Sequence, residues 1–124
     1  MPYEISWKDK GIIWTFYGVV TAGETRQASL DILGDPRFVD LHYQIVDIST
    51  VEQFNLTSED MDEAGALDEA ATLSNLRIIV AVVAASDDAM KIAKMYKSAM
   101  RQAKWPVEIF RTMDDATEWI RSTG

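Results

Sequence analysis

The chain has 124 residues and a mass of 14.0 kDa, the size of one domain with its own core and too short for two. Its 48% hydrophobic and 26% charged residues describe a globular protein and exclude a disordered or fibrous one. Twelve basic residues against twenty acidic leave a net charge of −8, which argues against DNA or another polyanion, so no nucleic acid is expected as a partner.

Residues 3–8 alternate Tyr3, Ile5 and Trp7 with Glu4, Ser6 and Lys8, the period of a half-buried strand. Asp9-Lys10-Gly11 reads as a turn, with Gly11 the residue able to take a positive φ. Ile12 to Val20 is a second strand, apolar on both faces apart from Thr15, and the two should form an antiparallel hairpin. Thr21 and Glu24 have capping-box spacing, which predicts a helix from there to Leu33, stopped by Gly34 and Pro36. Leu41 to Ile48 is the third strand. A helix from Thr57 to about Leu73 opens with acidic residues that complement its dipole.

Arg77 to Val83 is an unbroken β-branched and apolar run, the pattern of a central parallel strand covered on both sides. Ser86 caps a helix to about Ala103, Val107 to Phe110 is a short fifth strand, and Met113 to Arg121 is a terminal helix opened by Thr112 and Asp115. The order is ββαβαβαβα. It predicts an α/β domain with a mostly parallel five-stranded sheet, right-handed crossovers and the first strand antiparallel at an edge.

In this order the chain resembles the SpoIIAA-like family, a β-α superhelix shared with the anti-sigma-factor antagonists, built on the STAS domain, and with the CRAL-TRIO lipid-binding domain. The residues that carry the resemblance are Gly18 in the second strand, Asp47-Ile48-Ser49 at the end of the third, and the apolar run Ile78 to Val83. Val107-Glu108-Ile109-Phe110 and, in the last helix, Ala116 and Trp119-Ile120 complete it. The resemblance spans nearly the whole chain, as one domain over residues 1–124, and implies a fold more than an activity. It also implies a candidate switch. The antagonists carry a phosphorylatable Asp-Ser-Ser-Gly at the start of the helix after the third strand, where this chain reads Asn55-Leu56-Thr57-Ser58-Glu59-Asp60. Thr57 and Ser58 supply the hydroxyl pair; the Asp and Gly are missing. Helix-start amides would favour a phosphate on Ser58, Glu59, Asp60, Asp62 and Glu63 would oppose it, and simple N-capping is the competing role.

Chemistry-bearing constellations are sparse. The chain has no cysteine, so disulfides, thiol catalysis and zinc–thiolate sites are excluded and a reducing cytoplasm suits it. His42 is a lone histidine without a second ligand at helical spacing, so no metal and no cofactor is expected. No nucleophile motif and no phosphate-cradling glycine loop appears, and no enzyme is expected. Glu59, Asp60, Asp62, Glu63, Asp68 and Glu69 read as one solvated acidic face. Asp47, at the carboxyl edge of the sheet, either meets a ligand there or accepts backbone hydrogen bonds from a loop over residues 49–55.

Two surfaces remain. Lys94, Lys97, Arg101 and Lys104 fall on one face of the third helix, either a solvated face or a docking surface for an acidic partner or anionic lipid surface. Trp7, Trp14, Phe16, Tyr17 and Tyr43 come from three neighbouring strands. If all crossover helices pack on one side of the sheet, these rings are left for a homodimer, a protein partner or a small apolar ligand to cover. Trp14, Tyr17, Tyr43, Asp47 and Phe54 are therefore the candidate ligand-binding residues. The longest apolar run, Ile78 to Ala85, is far short of the ~20 residues of a membrane span. Met1-Pro2-Tyr3-Glu4 lacks the basic and apolar regions of a secretory leader, so a cytoplasmic protein is expected. The expectation is a non-enzymatic binding or regulatory module that holds a small apolar ligand, which the CRAL-TRIO likeness extends to a lipid, or a protein partner. The alternative is a phospho-switch acting through protein contacts.

Overall fold

The structure, a computed structural model, describes residues 3–101 and 105–123. Five strands form one sheet in the order β1-β2-β3-β4-β5, with β1 (Tyr3–Lys8) antiparallel to β2 (Gly11–Thr21). The strands β3 (Tyr43–Asn55), β4 (Ile79–Val83) and β5 (Val107–Phe110) follow, parallel to one another and to β2. The helices are α1 (Ala22–Leu33), α2 (Ser58–Ala71), α3 (Asp87–Ala99) and α4 (Met113–Thr123), with a short 3-10 helix over Pro36–Asp40. The chain has the SpoIIAA-like fold.

Crossovers of one hand, stepping across the sheet in one direction, must lay their helices on one face. Accordingly, α1, α2 and α3 bury Ala28, Ile32, Ala71, Ala89 and Ala93 against Ile12, Trp14, Phe16, Val80 and Val82 in the main core. After β5 there is no further strand to reach, and α4 turns to the opposite face. There Ala116, Met113, Trp119 and Ile120 pack on Ile45, Ala81, Val83 and Tyr43. The apolar run of β4 is thus covered on both sides, as its composition requires. The three crossover helices do share one side, but α4 covers part of the other, so that side is not left bare.

Three local features differ from the sequence reading. The positive φ of the hairpin belongs to Lys10, at 67°, and not to Gly11. Gly11 has a different function: the Tyr43 ring lies where its Cβ would be. The third strand runs on past Ile48 to Asn55, because the long tail of β2 gives it a partner as far as Thr21↔Asn55. Two register shifts, between Thr15 and Tyr17 and between Gly18 and Val19, absorb extra β3 residues as bulges. Gly18, at φ 65°, sits at the second of them. Residues 49–55 are therefore strand and not loop. Finally, α3 ends at Ala99, short of the expected end near Ala103, a residue outside those described.

A buried polar latch closes the end of the core near the 3-10 helix. Asn75 Nδ2 donates to the carbonyls of Phe38 and Leu41 at 2.9 and 2.8 Å. Trp105 Nε1 donates to the Asn75 carbonyl at 2.7 Å, with its ring 6.0 Å from Phe38. Among the described residues no helix is long and apolar enough to cross a membrane.

Candidate functional site: a chamber between sheet and helices

The helix-facing side of the sheet and α1, α2 and α3 line a half-open chamber of about 90 Å³. Strand alternation delivers its floor: Trp14, Phe16 and Val20 from β2, Gln44, Val46 and Ile48 from β3, and Val82 from β4. Thr25 and Ser29 of α1, Met61, Ala64 and Asp68 of α2, and Ile92, Ala93 and Tyr96 of α3 form its roof. Phe54 and Leu56, just beyond the bulges of β3, complete the wall. Ala64 and Ala93 line the space with short side chains, while at Gly65 the helices α2 and α3 approach closely. At that contact a Cβ on Gly65 would come within 2.6 Å of the Ala99 Cβ, so α2 and α3 already touch there.

Three polar groups stand out in this largely apolar lining. The Tyr96 hydroxyl donates to Asp68 Oδ2, tying α3 to α2. Burial lifts the Asp68 carboxyl to about 6, against the lowering effect of the Tyr96 hydrogen bond. Burial also pushes the Tyr96 hydroxyl well above its usual value, reinforced by the Asp68 charge. Asp68 takes part in none of the ion pairs among the described residues. Trp14, only 7% exposed, leaves its buried Nε1 without a hydrogen-bond partner among the described residues. Its ring stands 6.1 Å from that of Phe16, tilted by 41°.

Of the expected ligand residues, Trp14 and Phe54 line this chamber and the other three do not. Tyr17, which follows core-facing Phe16 in β2, is 39% exposed. Tyr43 packs in the α4 layer. Asp47 does not end its strand; at the first bulge it accepts a hydrogen bond from the Ser49 amide at 2.9 Å. The aromatic set is likewise divided. Trp14 and Phe16 are in the chain's own core, and Trp7 lies under the Arg37 guanidinium at 3.8 Å. Trp14 and Phe16 are thus covered within the chain, and Trp7 in part.

The acidic face also needs correction. Glu59, Asp62, Glu63 and Glu69 are exposed, with Glu63 paired to Arg26 at 2.7 Å, but Asp68 turns into the chamber. The signal for it was present. Met61, Ala64, Gly65 and Asp68 recur at helical spacing on one stripe, and a carboxylate on an apolar stripe marks a buried acid. Thr57 is the N-cap of α2: its Oγ1 accepts from the Asp60 amide at 3.1 Å, while the Asp60 carboxylate accepts from the Thr57 amide at 2.9 Å. Ser58 is the exposed first residue of the helix.

Lys94, Lys97 and Arg101 are exposed and share an open groove with Trp105 and Val107, and Lys97 pairs with Glu108 at 3.4 Å. Lys104 lies outside the described residues. His42 is exposed, and among the described residues no three His, Cys, Asp or Glu side chains gather where they could hold a metal ion.

Solved structures share this architecture. An unphosphorylated anti-sigma factor antagonist, SpoIIAA, is similar at TM-score 0.67 and 9% identity, over 97% of this chain and 96% of that one. The phosphorylated form of the Bacillus cell fate determinant SpoIIAA is similar at TM-score 0.59 and 10% identity, over 96% and 99%. An uncharacterised protein of the DUF3478 family with a SpoIIAA-like fold, from Shewanella loihica, is similar at TM-score 0.56 and 14% identity, over 95% and 91%. At these identities the likeness is one of fold. No protein-family model matches the chain, and no curated protein does.

Proposed function

We propose that the protein is a non-enzymatic binding or regulatory module that holds a small apolar ligand in the chamber between its sheet and α1, α2 and α3. The observation that carries this reading is the chamber itself: apolar, about 90 Å³, and set in an otherwise packed core. Native interiors carry few voids larger than a water, because each forfeits contacts along its lining. A ligand restores those contacts. An engineered apolar cavity of roughly 150 Å³ accepts benzene, so this one suits a body of about four or five carbons. An acidic protein partner would meet the groove of Lys94, Lys97 and Arg101 instead.

Native mass spectrometry of freshly purified protein tests the reading. The expected result is a retained small mass, lost in Ala64→Leu, which puts an isobutyl group into the space. Retention of the same mass by a folded Ala64→Leu protein would place the ligand elsewhere.

The second reading, a phospho-switch, is supported by the exposure of Ser58 at the start of α2. Against it stand the carboxylates of Glu59, Asp60, Asp62 and Glu63 around that residue, which repel an added phosphate.

A further inference from the structure

We propose that the ligand of the chamber is a compact amine with an apolar body, its ammonium pairing with Asp68 and its carbons packing against Trp14, Phe16 and Phe54. The inference rests on the reading of the chamber as a ligand site and names the chemistry of what enters it.

Asp68 lines the chamber and spends one carboxylate oxygen, Oδ2, on the Tyr96 hydroxyl. The other oxygen, Oδ1, accepts no hydrogen bond from any described residue. No lysine, arginine or histidine among the described residues forms an ion pair with this carboxylate. Asp68 is half-buried, and a carboxylate partly withdrawn from water without a counter-cation is poorly solvated; a cation that arrives with the ligand makes up that loss. The rest of the lining suits that cation. Trp14, Phe16, Phe54 and Tyr96 supply aromatic walls, whose ring faces attract an ammonium, while the apolar floor takes the carbon body. The net charge of −8 favours approach of a cation and disfavours an anion. An anionic ligand would bring a second negative charge beside Asp68. A neutral one would leave Oδ1 without a partner, or give it a weaker one.

Chemical-shift titration at pH 7.5 with isobutylamine and with isobutanol, equal in shape and different in charge, tests this. The expected result is binding of both in the chamber, the amine about tenfold tighter or more, since a charge-assisted hydrogen bond is roughly twice as strong as a neutral one. Asp68→Asn keeps the size of the side chain and an acceptor for Tyr96, and removes the charge; in it the preference for the amine disappears while isobutanol still binds. Equal affinity for the two probes, or an amine preference that survives Asp68→Asn, overturns the amine inference and leaves the chamber reading standing. Failure of both probes to bind overturns the two together.

Discussion

Asp68 makes the stability of this protein depend on pH between about 4 and 6. Asp68 titrates near 6 in the folded chain because burial disfavours its charge, against an ordinary value of 3.8. Between those values the folded state holds a proton that the unfolded chain has released, so stability falls as pH rises through that window and is level above it. Asp68→Asn carries no such penalty. The variant is therefore expected to be more stable than the natural chain at pH 8, by on the order of 3 kcal/mol. The advantage shrinks towards zero near pH 4, as urea unfolding at the two pH values would measure. An advantage that did not change with pH would contradict the burial of this group. Composition alone does not set this residue apart from its acidic neighbours; its place on the stripe of Met61, Ala64 and Gly65 does. Gly11 makes the same point: its turn was legible, but the reason for a glycine is the Tyr43 ring, which arrives from a strand more than thirty residues away.

At the scale of elements, legibility followed local chemistry. The cap of α2 is written in Thr57 and Asp60, and the structure closes that box in both directions. Thr57→Ala is expected to lower stability by about 0.5–2 kcal/mol, with Ser58→Ala nearly neutral, in thermal or denaturant unfolding. The reverse order would make Ser58 the cap. Elements that depend on a distant partner were less visible. The second half of β3 is polar enough to read as a loop, and it is a strand because β2 continues far enough to pair with it. The Pro36–Asp40 helix is fixed by the Asp35 carboxylate, which accepts from the Arg37 amide, and by Phe38 packing on Trp105. Only the first of those is a local signal.

For the whole molecule, strand order and direction followed from the alternation of apolar strands with amphipathic helices, and the one-hand rule then fixed the side of α1, α2 and α3. The side taken by α4 was open, because a helix after the last strand obeys no crossover rule. That placement changes the candidate site. With α4 on the far face, the aromatic residues divide between two layers, and the unfilled space lies under the other three helices. A void is the difference between the volume enclosed and the side chains that fill it, so no pattern in the sequence could report it. The central claim is that this space is real and receptive to an apolar occupant. Diffraction from crystals pressurised with xenon tests it most directly, since xenon settles in apolar cavities. The account predicts a xenon peak between Trp14, Val82 and Ala93; side chains closed over that position, with no xenon there, would contradict it.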